Sequence, residues 1–309
     1  MMIVQRMAAS AVPTELQPRI NSFSLYASIP FVSLWKTMSG TPVCWVLLEG
    51  TRIVAALPGV EFRPHPFTCF QAMVDGLYAR IWVDESSSLN MTEAAGYISH
   101  ALAMAGYARL YLTDFECEFP VSHGFQRQEN ETLVVDISNP DWEPPDATLR
   151  SEIRKAGREG VTVEPYDSGR HRKRFLELMT STEHRHKRPP KYCDSFFDAL
   201  ALLAEQERRI RWVIGEVDGK LAASHIFLVD GASVLHWQVY FDKNFSFAKP
   251  NQYILYSMTR QLANEGVTRL NLGMSPPGAE GLAAYKEKWG ALPYAYPTYV
   301  HRSWLGKLL

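Results

Sequence analysis

The chain has 309 residues, of which 46% are hydrophobic and 21% charged, with 8 Trp, 14 Tyr and 15 Phe. That length exceeds the usual single domain and that composition supplies a substantial core, so a disordered or fibrous protein is excluded and two domains are expected. A formal net charge of −1 argues against wholesale coating of DNA or of a membrane surface.

The four cysteines, Cys44, Cys69, Cys117 and Cys193, lie far apart and form no CxxC pair, so neither a zinc knuckle nor a disulfide framework is expected. No run approaches the roughly 18 apolar residues of a membrane span. The N-terminal residues lack the apolar stretch of a signal peptide. These features together predict a soluble, cytoplasmic protein with no transmembrane segment.

In chain order, Cys44–Leu48 and Arg52–Leu57 are apolar runs joined by Glu49-Gly50-Thr51, which predicts a hairpin. Leu77–Val83 reads as a strand. Ser88 precedes a helix over Met91–Ala105, whose apolar residues recur at three- and four-residue steps, and Gly106 ends it. Arg109–Leu112 and Thr132–Ile137 are further strands. The stretch Asn139-Pro140-Asp141-Trp142-Glu143-Pro144-Pro145 can continue neither structure, which predicts a linker and a division into residues 1–142 and 143–309. Residues 1–40 carry no recognisable signal.

The second half opens with a basic helix over Thr148–Arg158, a short strand at Val161–Glu164, and helices near Ser168–Met179 and Asp194–Glu207. Ile210–Val217, Leu221–Leu228 and Ser233–Tyr240 then form a meander, separated by Asp218-Gly219-Lys220 and Asp230-Gly231-Ala232, each with the Asp-Gly of a tight turn. Pro250 stands where a helix over Asn251–Glu265 begins, and Gly266 stops it. Leu270–Leu272, a helix over Glu280–Trp289 and an extended Pro293–His301 complete the pattern. Helices, antiparallel meander, helix, strand, helix and strand is the order of a Gcn5-related N-acetyltransferase (GNAT) fold. The first half resembles a reduced version. The predicted class is therefore α+β with mixed sheets, as two tandem GNAT-like domains.

Three stretches carry a closer resemblance. Residues 149–161, with Ile153-Arg154-Lys155-Ala156 and Gly160-Val161, resemble the helix and turn opening the second domain of FemAB-type acyltransferases. Leu272-Gly273-Met274-Ser275, followed by Gly281-Leu282-Ala283-Ala284-Tyr285-Lys286-Glu287-Lys288-Trp289-Gly290-Ala291, is similar to that family's ending. Gly124-Phe125 with Thr132-Leu133-Val134-Val135-Asp136 is similar to the close of its first domain. The resemblance implies transfer of an acyl or aminoacyl group to an amine in a cleft between the two domains, without metal. Acyl-CoA and aminoacyl-tRNA are the donors it implies, with a small-molecule or envelope-precursor amine as acceptor and tRNA as a further partner. Three alternatives stand beside it: an aminoacyl-tRNA-dependent peptidyltransferase, a plain acetyl-CoA N-acetyltransferase, and a non-catalytic module for an anionic ligand.

Candidate residues follow. Leu282, Tyr285 and Trp289 fall at i, i+3 and i+7 and predict a buried stripe, with Lys286 beside it. Lys286 there could meet the acceptor's anionic group or a developing oxyanion, with Tyr285 as an aromatic wall; otherwise Lys286 is a snorkelling surface residue. Residues 150–191 carry twelve Lys/Arg against six acids, which suits an anionic partner or is an ordinary solvated face. Within them Arg154, Lys155 and Arg185 are the substrate-binding candidates. His236, Gln238 and Tyr240 alternate and are expected on one strand face, where His236 or Tyr240 could relay a proton. At Phe245–Gln252, where a CoA-using domain has a glycine-rich phosphate loop, there is no glycine. Lys249, Asn251 and Gln252 are the donor-binding candidates there. His184 and His186 near Cys193 lack a fourth ligand, and no metal site is expected.

Overall fold

The computed structural model describes residues 1–64, 66–119, 124–276 and 278–303. They form two compact units, one of residues 1–130 with 295 onward, the other of residues 131–294. In chain order the elements are β1 (Met2–Ala8), α1 (Gln17–Phe23), α2 (Ile29–Ser33), β2 (Thr41–Glu49), β3 (Arg52–Phe62), β4 (Cys69–Gln71), β5 (Trp82–Val83), α3 (Met91–Met104), β6 (Arg109–Thr113) and β7 (Gln126–Asp136). Then follow α4 (Ala147–Arg158), β8 (Thr162–Pro165), α5 (Ser168–Arg185), α6 (Asp194–Gln206), β9 (Ile210–Val217), β10 (Lys220–Asp230) and β11 (Ser233–Phe241). The last are α7 (Pro250–Asn264), β12 (Arg269–Asn271), α8 (Glu280–Glu287) and β13 (Leu292–Arg302). No helix among the described residues is long and apolar enough to cross a membrane.

In the first unit β2 and β3 form the predicted hairpin, and β1 adds antiparallel to β2. The unrecognised first forty residues thus supply a strand and two helices. On the other side β4 runs antiparallel to β3 and parallel to β6. Helix α3 begins at Met91, as the sequence suggests, and Asn90 caps it. Asn90 and Glu93 bond reciprocally across the first turn, satisfying two otherwise orphaned backbone N–H groups. The predicted strand over Leu77–Val83 is reduced to the two residues of β5. Leu77, Tyr78, Ala79 and Ile81 are buried, which explains the apolar run, but Asp75 and Gly76 just before them have φ of 62° and 72° and break any ladder. Gly59 in β3 is crossed closely by β4: a Cβ there would lie 2.5 Å from Phe70 Cζ and 2.6 Å from the Gln71 carbonyl. Gly59→Ala is expected to cost about 1–3 kcal/mol of stability in urea unfolding, the usual cost of overpacking.

The second unit repeats the plan at full length. Strand β11 runs antiparallel to β10 and parallel to β12, with β9 and β8 beyond β10. One face of the sheet packs Val213 and Phe227 against Leu149 and Ile153 of α4 and Ile254 and Leu255 of α7. Residues of the opposite pleat direction, Trp212 and Tyr240, meet Phe175 of α5 and Phe197 of α6 edge to face.

A β-bulge interrupts β11. Ile226 pairs with Gln238 and Phe227 with His236, so Trp237 is the extra residue. His236 consequently stacks on Phe227 on the α7 face, whereas Trp237 and Tyr240 meet the aromatic rings of the α5–α6 face. The expectation that His236, Gln238 and Tyr240 share one face fails for that reason.

Sheet membership departs from chain order at two strands. Residues 134–136 of β7 pair antiparallel with β12 of the second unit, and residues 298–302 of β13 pair antiparallel with β6 of the first. The compact units accordingly divide at 130/131, whereas the sequence suggests 142/143. The proline-rich stretch expected as a linker lies inside the second unit. Trp142 stacks on Trp289 with ring centroids 6.2 Å apart, and Arg150 donates to the carbonyls of Pro144 and Pro145 at 2.7 Å.

Candidate active site

Lys286 is buried, with 6% of its surface exposed. Of the expected stripe on α8, Trp289 is fully buried and Tyr285 half-buried, but Leu282 is 41% exposed. Helix α8 ends at Glu287, so Trp289 lies beyond it and the stripe does not continue as one helical row. Lys286 occupies the inner position instead. Its Nζ donates to the carbonyls of Gly273 at 2.8 Å and Met274 at 2.9 Å. Two successive carbonyls can face one ammonium because Gly273 has φ of 77°, a conformation that side-chain-bearing residues rarely adopt. Asn271 holds this turn from below: its Oδ1 accepts from the Gly273 N–H at 2.7 Å and from Thr132 Oγ1 at 2.6 Å. Burial lowers the Lys286 ammonium to about 8. Gly273→Ala should cost about 1–2 kcal/mol from the left-handed backbone alone, checked by thermal unfolding.

Lys286 borders a pocket of about 790 Å³, large enough for a small-molecule ligand. Its lining residues all belong to the second unit. The pocket opens where β11 loses its neighbour: β12 ends at Asn271, opposite Leu235, while β11 continues to Phe241. His236, Gln238 and Tyr285 stand on its walls. Met274 and Leu282, both largely exposed, form an apolar lip with Trp237. Glu183 and Arg188 also line it as a buried carboxylate and its guanidinium partner.

Behind the wall runs a chain of polar side chains. His236 Nε2 lies 3.0 Å from His225 Nδ1, and His225 Nε2 lies 2.9 Å from Asn251 Oδ1. Burial lowers the His225 imidazole to about 4. His236 is pushed well down by burial and then by the charges of His225 and Lys286, so both rings are neutral at pH 7.

The other candidates are placed as follows. Tyr240 is buried in the aromatic layer and does not line the pocket; its hydroxyl donates to Gln238 Oε1 at 3.2 Å. Arg154 is exposed and Lys155 half-buried on α4, neither on the pocket lining. Arg185 is the last residue of α5 and donates to the Phe241 carbonyl at 3.2 Å. At the start of α7, Lys249 forms an ion pair with Glu152 at 2.8 Å, and Gln252 donates to the same carboxylate at 3.3 Å. Asn251 and Gln252 line the pocket, and Lys249 does not. Much of the basic segment is paired within its own unit, including Arg170 with Glu164, Arg172 with Asp198 and Arg174 with Asp242. One metal-type cluster exists among the described residues, Glu164, His171 and Glu216. His171 Nδ1 accepts from the Asp167 N–H at 2.9 Å, which places the ring proton on Nε2 and leaves no lone pair there for a metal.

Sequence reasoning missed His225, which sits in an apolar strand run and reads as core, and the Glu183–Arg188 pair, which dissolves into the general charge of its segment. Flanked by buried Ser224 and Ile226, His225 offers no separate signal in the sequence.

The parallel pair β11 and β12 thus parts over a pocket that lies beside the start of α7 and is bordered by Lys286. Residues 146–287 match the family model described as Acetyltransferase (GNAT) domain. Among solved structures, one titled FemX superposes with a TM-score of 0.71 at 12% identity, covering 97% of each chain. A tandem GNAT protein from the clavulanic acid biosynthesis pathway gives 0.54 at 13% identity over 98% of each chain. L-PGS from Bacillus licheniformis gives 0.54 at 13% identity, covering 81% of this chain and 82% of its own. No curated protein matches the sequence. The chain thus shares its fold with FemX and with a tandem GNAT protein, and residues 146–287 of it match an acetyltransferase (GNAT) domain.

Proposed function

We propose that the second unit transfers an acyl or aminoacyl group onto an amine by direct attack in the pocket beside Lys286. The observation that carries this reading is the lysine itself. Two of its N–H groups are fixed on backbone carbonyls, and the third remains to meet the oxygen of a tetrahedral intermediate as charge develops. An ammonium held in place before reaction needs no reorganisation at that moment. Tyr285 forms the adjoining wall, and the unpaired edge of β11 offers main-chain groups to align the donor.

The donor end of the pocket favours a molecule that does not rely on a diphosphate at the start of α7. A free helix N-terminus attracts an anion, but here Pro250 lacks an N–H and the Glu152 carboxylate already sits beside Lys249 and Gln252. Aminoacyl-tRNA fits this better than acetyl-CoA. The exposed Arg154 and the half-buried Lys155 on α4 are side chains available to an anionic partner. We place the activity in the cytoplasm, where either donor is made, and an envelope-precursor amine is the acceptor class we favour.

The test presents acetyl-CoA, palmitoyl-CoA and alanyl-tRNA to the purified protein, following thiol release and loss of the aminoacyl ester with an amine mixture present. Each donor is also scored by thermal shift, where a ligand at a hundred times its Kd adds about 2.7 kcal/mol. Consumption of one donor, abolished in Lys286→Met, is the expected result. Consumption of acetyl-CoA alone would make the protein a plain N-acetyltransferase. Binding without turnover for every donor would leave an anion-binding module.

A further inference from the structure

Lys286 can stabilise the oxyanion, but an attacking amine must also lose a proton. We propose that Nδ1 of His236 takes that proton, and that His225 and Asn251 are positioning residues that hold His236 in the tautomer able to do so. This inference rests on the acyl-transfer reading above.

Donor and acceptor roles along this chain of side chains fix the tautomer of each ring. An amide oxygen only accepts, so the hydrogen bond between Asn251 Oδ1 and His225 Nε2 places a proton on Nε2. A neutral imidazole with Nε2–H has an accepting Nδ1. The 3.0 Å contact with His236 is then a donation from His236 Nε2–H. His236, neutral in turn, is left with its lone pair on Nδ1. That nitrogen has no hydrogen-bond partner among the described residues, although the other three ring nitrogens of the pair each have one. His236 itself is half-buried and lines the pocket, as Lys286 does. Phe227, stacked on the imidazole at 4.7 Å, fixes the plane of the ring. The bulge at Trp237 puts it there: without the extra residue, the strand on either side of it could not supply both His236 to this face and Tyr240 to the other.

A relay of this kind also explains why two histidines are buried together. Of the four ring nitrogens, His236 Nδ1 alone has no protein partner, and it is not among the buried unpartnered atoms, so it is open to the pocket. Lowered basicity suits the task, because the ring is neutral at pH 7 and ready to accept. The amine proton becomes acidic as its nitrogen bonds to carbon, so a weak base suffices.

The step balances without any further reactant. The amine nitrogen bonds to the acyl carbon, and the carbonyl π pair moves to the oxygen facing Lys286. The nitrogen's proton passes to His236 Nδ1, giving an imidazolium whose Nε2–H stays on His225. Collapse of the intermediate breaks the bond to the leaving group, which departs as thiol or hydroxyl with the proton from His236.

Two measurements test this. The first needs no substrate: ring-nitrogen NMR of the full chain labelled with ¹⁵N-histidine, with His225→Gln and His236→Gln used for assignment. An unprotonated Nδ1 and protonated Nε2 on His236 at pH 7 are expected, and a protonated Nδ1 overturns the proposal. The second uses whichever of alanyl-tRNA, acetyl-CoA or palmitoyl-CoA the wild type consumes. His236→Ala should lower kcat by about 100-fold or more and recover in part with added imidazole. His225→Leu should lower kcat with little change in KM. His225→Gln, whose amide can accept from His236 and donate to Asn251, should recover most of that loss. Equal losses in the two His225 variants, or no imidazole rescue of a folded His236→Ala, would sink it. Failure of the wild type to use any donor would instead defeat the transfer reading, and the NMR result would still decide the tautomer.

Discussion

Lys286→Met should lose at least about 100-fold in turnover, the usual cost of removing a fixed donor to a developing oxyanion, while the protein stays folded. The two properties separate because the ammonium is held at a cost. Burial lowers it to about 8, so its charged form is less welcome in the folded chain than in water. Methionine fills the same space without that penalty, and the carbonyls of Gly273 and Met274 can turn to pocket water. Melting of Lys286→Met at pH 7 is therefore expected at or above that of the wild type. A folded variant with undiminished turnover would remove Lys286 from the chemistry.

The pH dependence has opposite signs for rate and stability. A rate that needs the Lys286 charge falls as pH rises through about 8. Stability rises over the window from about 8 to the ordinary lysine range, because there the unfolded chain binds a proton that the folded chain has released. Wild type minus Lys286→Met, followed by urea unfolding at pH 7 and pH 10, isolates this difference. A gap that does not close with rising pH contradicts a buried, depressed ammonium.

Trp289→Ala should give the largest loss of stability, about 3–5 kcal/mol in urea unfolding. The indole is fully buried, stacks on Trp142 at an interplanar angle of 10° and meets the Tyr285 ring edge-on. Its removal leaves a cavity beneath the Lys286 turn, so Lys286 loses its support together with the core. Trp289→Phe should recover much of the stability. A loss under about 1 kcal/mol in Trp289→Ala would show that the indole is not a core element.

The second unit was readable from its sequence because its punctuation is local. Asp218-Gly219 and Asp230-Gly231 set both turns of the meander, and Pro250 and Gly266 bracket α7; each of these signals acts on its own neighbours. Leu77–Val83 misled because burial and strand pairing share one apolar signature, and only the positive φ of Asp75 and Gly76 separates them. The bulge at Trp237 was invisible for a different reason. One residue inserted against a partner strand changes no composition or spacing along its own strand, yet it reverses which face every later side chain meets. At the site, Lys286 was legible through its motif, but its carbonyl cradle depends on the backbone of Gly273, thirteen residues away. His225 acquires its role only through partners on β11 and α7. The Glu152 carboxylate at the start of α7 comes from another helix altogether, so the missing glycines hinted at an altered donor end without showing what occupies it.

The placement of β7 and β13 bears on how the protein is made. Strand β6 gains its antiparallel neighbour only from residues 298–302, so the first unit emerges from the ribosome with an open sheet edge and keeps it until almost all of the second has been synthesised. The second unit, by contrast, has its β7 strand waiting before its own first helix appears. The order of synthesis and the order in which the two sheets can be completed therefore run in opposite directions. The later of the two units can close first, and during that interval the exposed edge of the earlier one is β6, whose only charge against pairing with a neighbouring chain is Arg109.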